Sequence, residues 1–227
     1  MKYPILLFDA DDTLFDFSQA SSYAFTTLCQ THDIPDTTEI RALYHSINKP
    51  LWASFDRGEI TKEFLTVERF VRFFAALGLE RDAVLCNETY LGALGQGVFP
   101  LPHAETVCQT LKERGHRLFL ITNAVASVQR SRLNSSVFSQ FFEQAFISEE
   151  AGASKPSKAY FDYVCTCVPK ITPQNTLVIG DSLSTDIRGA NNAGLPCCWY
   201  NPGKKDRPSD LCIDYEIHDL RELLQIA

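Results

Sequence analysis

LLFDADDTLF, residues Leu6 to Phe15, joins an apolar run to three closely spaced carboxylates, Asp9, Asp11 and Asp12. Bunched carboxylates repel one another and lose solvation on burial, so they persist where cations or hydrogen-bond donors compensate them. Taken alone, the stretch also fits a strand that runs into an acidic turn. The segments that follow along the chain decide between a turn and a ligand site.

The composition of the 227-residue chain is that of a globular protein, with 45% hydrophobic and 22% charged residues. Its formal net charge is −7, and no basic run stands out. Binding of a nucleic acid polymer needs a clustered cationic surface and is therefore not expected. No apolar run approaches the ~20 residues that span a bilayer, and the N-terminal segment is unlike a signal peptide, so no membrane association is expected.

The eight cysteines show neither a CxxC pattern nor a zinc-ligand spacing with histidine. We interpret them as small buried hydrophobic residues in a reducing compartment, which predicts a cytoplasmic protein. We expect a monomer or a homodimer.

Five short apolar runs predict strands, and each is nearly continuous, as is typical of parallel strands covered on both faces. The runs are residues 3–10, 116–123, 144–150, 175–181 and 196–201. Helical patterns lie between or after them, at residues 102–115, 157–168, 184–193 and 219–226. Strands that alternate with helices predict an α/β fold, a doubly wound, Rossmann-like parallel sheet.

Residues 18–95 break this alternation, because they carry helical patterns and no strand pattern. The clearest pattern places apolar residues three and four positions apart, at Phe64, Val67, Phe70, Val71 and Phe74. We therefore predict a helical cap domain at residues 18–95, inserted after the first strand. The Rossmann-like catalytic core would comprise residues 1–17 and 96–227.

Polar side chains follow four of the predicted strands. In chain order they are Asp9 with Asp11, Thr122 with Asn123, Lys155, and Asp181 with Asp186. Each alone fits a turn, a solvated surface or a helix cap. Ligands of open α/β sheets, however, bind beyond the carboxyl ends of the strands. The joint occurrence of these side chains at one edge of one sheet therefore predicts a single site.

The residue types of this predicted site indicate phosphoryl chemistry. Asp9, Asp11 and Asp181 offer hard oxygen ligands suited to Mg²⁺, which typically bridges a carboxylate and a substrate phosphate. A carboxylate there can attack phosphorus and form an aspartyl-phosphate. Asp11 can protonate the leaving alkoxide and then deprotonate the attacking water. Thr122 and Lys155 would hold and neutralise the equatorial oxygens, and Asn123 could donate to the same substrate.

The four groups of polar residues at the strand ends resemble the motifs of the haloacid dehalogenase (HAD) superfamily. They read DADDT at 9–13, TN at 122–123, KP at 155–156 and GDSLSTD at 180–186. The resemblance implies that Asp9 is the nucleophile and a Mg²⁺ ligand. It implies that Asp11 is the general acid/base, with its backbone carbonyl on the metal. An acid at the position of Asp11 favours phosphate-ester chemistry, because the dehalogenases of the superfamily lack it.

The same resemblance implies roles for the remaining residues of the site. Thr122 and Lys155 would bind phosphate, and Lys155 would also restrain the charge of Asp9. Asp181 would ligate Mg²⁺. Asp186 would lie behind the ligands and orient a metal-bound water or Lys155.

A further resemblance, to the bacterial pyrimidine 5′-nucleotidases, rests on NKPLWASFDRGEIT at residues 48–61, together with FDADDTLFDF and ISEEAGASKP. It implies a small phosphate monoester as substrate, a nucleoside 5′-monophosphate. Trp52 would stack on the base and Asn48 would hydrogen-bond to the base or sugar; the alternative for Trp52 is packing inside the cap. Two other functions stay open: a phosphatase of sugar phosphates or phosphoglycolate, and a non-catalytic phosphate-binding regulatory protein.

Overall fold

The computed structural model describes residues 2–227, and these form two compact units. The core unit is formed by the residues up to Phe17 together with Val98–Ala227, and the helical unit by Ser18–Gly97. These bounds lie within two residues of the predicted domain boundaries. The assignment of the two units as catalytic core and cap domain stays a prediction.

The described part of the core unit contains six strands. They are β1 (Ile5–Phe8), β2 (Arg117–Thr122), β3 (Phe142–Ile147), β4 (Thr176–Gly180), β5 (Cys197–Tyr200) and β6 (Tyr215–Ile217). All six strands are parallel and form one sheet in the order β3-β2-β1-β4-β5-β6. This confirms the predicted doubly wound parallel sheet. Because β1 lies between β2 and β4, the loop that follows it is flanked by the ends of both neighbours.

Residues 2–227 contain ten α-helices. They are α1 (Phe17–Thr31), α2 (Thr38–Asp56), α3 (Lys62–Leu77), α4 (Ala83–Gln96), α5 (Ala104–Glu113), α6 (Ala126–Asn134), α7 (Ser148–Ala151), α8 (Lys158–Cys167), α9 (Arg188–Ala193) and α10 (Leu223–Ile226). Short 3₁₀ turns occur at Val137–Gln140 and Leu220–Glu222, and a π-helical turn at Leu183–Ile187 precedes α9.

The sheet is buried on both faces, and this explains its nearly continuous apolar strands. Leu6 and Phe8 of β1 belong to one core cluster, and Ile5 and Leu7 to the other. The first cluster also contains apolar residues of α5 and α10, and the second contains residues of α8 and α9. Helices therefore cover both sides of the strands and leave the carboxyl ends of the strands for chemistry.

The helical unit has an aromatic core of its own. Its rings pack within about 6 Å of one another, as in the pairs of Tyr44 with Phe25, Phe70, Phe73 and Tyr90. Side chains of Thr37, Thr61 and Asp82 accept hydrogen bonds from the first turns of α2, α3 and α4, which fixes where these helices begin.

The predicted apolar stripe of α3 is only partly correct. Phe70 and Phe74 are buried, but Phe64 and Val71 are 48% and 47% exposed. Leu65 and Phe73 are buried in addition, so the inward face is rotated from the predicted one. The cause is that α3 carries more apolar residues than one face can hold, and spacing alone does not select among them.

Several predicted elements differ from the observed ones. Strand β6 and helix α6 were not predicted. The run at 144–150 ends as a strand at Ile147 and continues as α7, and the predicted helix at 184–193 begins as a π-helical turn. The cysteines form no disulfide in the part of the chain described; five are buried, whereas Cys167 and Cys212 are exposed, contrary to their interpretation as core residues. Within residues 2–227, every helix is too short or too polar to cross a bilayer.

Candidate active site

Asp9 lies immediately after β1 and is held from three sides. Its backbone N–H donates to the carbonyl of Ile179 at 2.8 Å, which ties it to β4. Its carboxylate Oδ1 accepts from Lys155 Nζ at 2.6 Å, and its Oδ2 accepts from Thr13 Oγ1 at 3.1 Å. The side chain is only 9% exposed. The carboxylate is thus fixed before any ligand binds.

Lys155 is the cation of this cluster and is almost fully buried. Its Nζ donates to Asp9 Oδ1, to Asp186 Oδ1 at 2.7 Å and to the carbonyl of Ile121 at 3.0 Å. These bonds use all three protons of the ammonium group. The backbone of Lys155 is held by the side chain of Asn123, whose Nδ2 donates to its carbonyl at 2.8 Å and whose Oδ1 accepts from its N–H at 2.9 Å.

Asp186 and Asp181 approach from the end of β4. Asp186 is fully buried, and its Oδ2 accepts from the backbone N–H of Ser182 at 3.1 Å. A Cβ atom at Gly180 would lie 2.3 Å from the Asp186 carboxyl, so only glycine admits that carboxyl. Asp181 is held through its backbone, because Trp199 Nε1 donates to its carbonyl at 2.9 Å and its N–H donates to Thr13 Oγ1 at 3.1 Å.

The electrostatics of the cluster follow from its burial. Burial, and then the charge of Asp186, raises the pKa of Asp9 well above its usual value. The same two causes raise the pKa of Asp181 to about 7. Burial opposes the charged form of Lys155, but Asp186 and Asp9 outweigh it and raise the pKa of the ammonium. The cluster therefore carries more carboxylates than its one lysine can neutralise, and it favours an added cation.

The donor set fits a hard divalent cation. Oxygen atoms of Asp9, Asp181 and Asp186 all lie within 4.8 Å of one another. Asp181 also lines a cavity of about 310 Å³ together with Tyr200, Asn201 and Lys205. All-oxygen donors are the ligands that Mg²⁺ and Ca²⁺ prefer. The Asp11 side chain, by contrast, is not part of this three-carboxylate group; the resemblance assigned its backbone carbonyl to the metal.

Thr122, at the end of β2, is positioned by a tyrosine on another element. Its backbone N–H donates to the Tyr160 hydroxyl at 3.1 Å, and that hydroxyl donates to the carbonyl of Phe146 at 2.6 Å. Thr122 Oγ1 accepts from the N–H of Ala124 at 3.1 Å, which leaves its own proton for a ligand. Tyr160 of α8 thus joins the ends of β2 and β3 at the site.

Asp11 is paired with a residue that the sequence did not single out. Arg132 of α6 donates through Nη1 to Asp11 Oδ1. The Arg132 side chain is 1% exposed, and its guanidinium carbon lies 4.5 Å from the centre of the Phe15 ring. No motif marks Arg132, and the sequence pattern did not single it out, because α6 has no apolar stripe that would have predicted the helix.

Asp12, for which the sequence gave no role, has a structural one. Its φ of 60° places it in the left-handed region, which aspartate tolerates better than most residues. Its Oδ1 accepts from the N–H of Phe17 at 3.1 Å, and Phe17 is the first residue of α1. Asp12 therefore turns the chain out of the site loop and caps the helix that follows.

The two predicted substrate residues of the cap belong to α2 of the helical unit. Trp52 is half-buried, and its ring meets that of Phe55 edge to face at 5.7 Å. Asn48 lies one turn earlier, and its buried Oδ1 has no hydrogen-bond partner among residues 2–227. Trp52 thus has a packing partner within the unit, whereas Asn48 presents an unused acceptor.

The chain is similar in sequence and structure to known hydrolases. A family profile described as haloacid dehalogenase-like hydrolase matches residues 3–194. The HAD-hydrolase YfnB of Bacillus subtilis is 37% identical over 99% of this chain and 95% of its own length. Its magnesium-bound crystal structure superposes with a TM-score of 0.93, covering 100% of this chain and 99% of that chain.

Two relatives are described as pyrimidine 5′-nucleotidases. PynA of Streptococcus pneumoniae is 34% identical over 99% of this chain and 94% of its own length. YjjG of Escherichia coli is 31% identical over 100% of this chain and 98% of its own. The similarity to each extends over both units of the structure.

Proposed function

The chain belongs to the haloacid dehalogenase-like hydrolases, and we propose that it is a Mg²⁺-dependent phosphatase of nucleoside 5′-monophosphates with a pyrimidine base. One observation carries the phosphatase proposal: the Asp9 carboxylate is fixed between Lys155 and Thr13 beside two further carboxylates. Burying such a cluster costs desolvation energy, and clusters of this kind concentrate at functional sites, here one suited to chemistry on a charged group.

In the first step the Asp9 carboxylate attacks the phosphorus of the substrate. A bond forms between an Asp9 oxygen and phosphorus, and the bond from phosphorus to the ester oxygen breaks. The carboxyl group of Asp11 gives its proton to the departing alkoxide. The products of this step are the free alcohol, an aspartyl-phosphate at residue 9 and the Asp11 carboxylate.

In the second step the Asp11 carboxylate takes a proton from water, and the water oxygen attacks the aspartyl-phosphate. The bond between Asp9 and phosphorus breaks, which releases inorganic phosphate and restores both carboxyl groups to their starting state. Thr122 donates its hydroxyl proton to a phosphoryl oxygen. Lys155, whose three protons are already donated, acts mainly through its charge and through its hold on Asp9.

Asp9 and Asp181 would hold Mg²⁺ through their side chains and Asp11 through its backbone carbonyl, while Asp186 stays with Lys155 and Ser182. When bound, the ion would neutralise phosphate charge that the single lysine cannot. Asn123 holds the backbone of Lys155, and each of its amide atoms retains capacity for one further hydrogen bond to substrate.

The nucleotide preference is supported by the two nucleotidase relatives, which match this chain over its whole length. It is also supported by Asn48, because a buried acceptor without a partner is costly unless a ligand supplies a donor. The N3–H of uracil or thymine is such a donor. Trp52, half-buried beside it on α2, would offer a ring face to the same base.

The test is phosphate release from a panel of nucleoside monophosphates, sugar phosphates and phosphoglycolate. Chelator-treated protein would be assayed with and without added Mg²⁺, and Asp9→Asn would serve as the matched inactive control. We expect Mg²⁺-dependent release with a preference for UMP, dUMP or dTMP. A preference for sugar phosphates would contradict the nucleotide preference but not the phosphatase activity. No phosphate release from any substrate of the panel would contradict both the activity and the preference.

A further inference from the structure

We propose that Arg132 is a positioning residue for the general acid/base, holding one oxygen of the Asp11 carboxylate so that the other is presented to the substrate. This role rests on the proposed phosphatase function, in which Asp11 exchanges a proton with the leaving group. Neither the sequence motifs nor the similarity to known proteins assigns a role to Arg132.

The two oxygens of Asp11 are in different surroundings. Oδ1 accepts a charge-assisted hydrogen bond from Arg132 Nη1, whereas Oδ2 has no hydrogen-bond partner among the described residues. The Asp11 side chain is 26% exposed, against 1% for Arg132. One oxygen is therefore anchored in the protein interior, and the other remains free to give and accept a proton.

Arg132 is itself held in place. Its guanidinium carbon lies 4.5 Å from the centre of the Phe15 ring, a cation–π geometry. Its Nη1 lies 3.4 Å from Oε1 of Gln129, one turn earlier on α6, and Gln129 is fully buried. Proton transfer requires the donor and acceptor atoms to be positioned precisely, and a rigid Arg132 can fix the rotamer of Asp11 for this purpose.

Stability alone does not account for a guanidinium at this position. Burying an ion pair costs desolvation, and an apolar side chain of similar volume is often neutral or better for stability. Arg130, two residues earlier on the same helix, pairs with Glu150 and remains 48% exposed. Helix α6 thus carries one arginine in a solvated ion pair and one buried arginine, and only the buried one pairs with a residue of the site.

The test compares two aryl phosphates of similar size that differ in their need for an acid. The p-nitrophenolate ion leaves without protonation, whereas the phenolate of phenyl phosphate benefits from it. The kcat/KM, measured from release of the phenol, reports the steps up to departure of the leaving group. The variants are Arg132→Met, Arg132→Lys, Asp11→Asn and the two double variants, with Arg130→Met as the control on the same helix.

We expect Arg132→Met to lower kcat/KM for phenyl phosphate by about 10- to 100-fold and that for p-nitrophenyl phosphate by less than about threefold. In the Asp11→Asn background the same substitution should change neither value, because it acts through Asp11. Arg130→Met should behave as wild type. Thermal unfolding of each variant checks the fold, and if Arg132→Met does not fold, the same cycle with Arg132→Lys decides.

An equal loss on both substrates that persists in the Asp11→Asn background would overturn the positioning role and leave Arg132 a structural residue. A wild-type protein that with Mg²⁺ hydrolyses neither the two aryl phosphates nor any nucleoside monophosphate, sugar phosphate or phosphoglycolate would overturn the phosphatase function instead, and this role with it. The two failures are therefore distinguishable in one data set.

Discussion

Thr13 shows how closely the candidate site depends on single side chains. Its hydroxyl donates to Asp9 Oδ2 and accepts from the N–H of Asp181, so one group fixes the spacing between the ends of β1 and β4. Its own burial is complete. The two carboxylates that would share a cation are thus held in register by a residue that need not touch the cation.

Asp9→Asn should abolish turnover without unfolding the protein. Activity is expected to fall by roughly 10³-fold or more, because the amide is no nucleophile. The fold should persist, since burial and Asp186 already raise the pKa of Asp9 and so disfavour its charged form. Phosphate release and thermal unfolding would be measured together. Substantial hydrolysis by the folded variant would contradict the covalent mechanism.

Trp52→Ala should raise KM for a nucleoside monophosphate far more than for an aryl phosphate, if the indole stacks on the base. The expected increase is about 5- to 150-fold, corresponding to stacking worth ~1–3 kcal/mol. Trp52→Phe, which keeps a ring, is the matched control. Equal effects on both substrates would show that Trp52 serves packing within the helical unit, where its ring contacts Phe55 of the same helix.

At the next level of organisation, helix α8 connects the site to the sheet through Tyr160. Its hydroxyl accepts from Thr122 N–H and donates to the carbonyl of Phe146, so the ends of β2 and β3 share one side chain. The register between β2 and β3 shifts near Leu118 and Phe119, and this tyrosine ties the two strands at their opposite ends.

Tyr160→Phe should therefore cost both stability and activity. The Thr122 N–H and the Phe146 carbonyl would lose a buried partner, which costs about 1–3 kcal/mol. With Thr122 less well held, kcat should fall by several-fold while KM for Mg²⁺ stays unchanged. Tyr163→Phe, on the exposed side of the same helix, is the control. A variant with wild-type unfolding and kcat would show that Tyr160 has no part in holding Thr122.

The sequence predicted the helices and strands that bury apolar residues in a regular pattern, and it failed to predict those that do not. The five predicted strands stood out because both of their faces are covered, whereas β6 is three residues long and has only Ile217 fully buried. Helix α6 has no apolar stripe: its buried residues include Gln129 and Arg132 beside Val128 and Leu133. The missed helix and the missed arginine therefore have the same physical cause.

The motif residues were recognisable because phosphoryl chemistry admits few residue types, and the parallel topology brings strand ends together whatever the length of chain between them. The spacing of the motifs along the sequence could not show which atoms form hydrogen bonds with one another. Asn123 is predicted to contact substrate, and spacing could not show that it also holds the backbone of Lys155. The partner of Asp11 lies 121 residues away, on an element that the sequence did not reveal.

For the molecule as a whole, titration of the carboxyl groups of the site should make the stability of the protein depend on pH. The folded pKa of Asp181 is about 7 against an ordinary value of 3.8. Its protonation therefore stabilises the metal-free fold fully below about pH 3.8, and this contribution is lost as pH rises through about 7. Asp9, whose pKa is also raised, acts in the same direction.

Mg²⁺ should reverse this loss, because it binds the ionised carboxylates. The increase in Tm caused by Mg²⁺ is expected to grow as pH rises through about 7, at roughly 2–4 °C for each kcal/mol of stabilisation. Thermal unfolding with and without Mg²⁺ across this range is the measurement, and Asp181→Asn should flatten the trend. An increase in Tm that is independent of pH in the wild type would contradict the assignment of these carboxylates as ligands.

The position of β1 has a consequence for exchange of backbone protons with solvent. It is an interior strand of the six-stranded sheet, paired on both sides and buried along its whole length. Amides in such a strand exchange only when the domain opens globally. The proposed nucleophile, Asp9, therefore directly follows a strand that unfolds only with the whole domain. Local unfolding of exposed loops should not displace it. Deuterium uptake at residues 5–9 should consequently track the global free energy of unfolding, variant by variant.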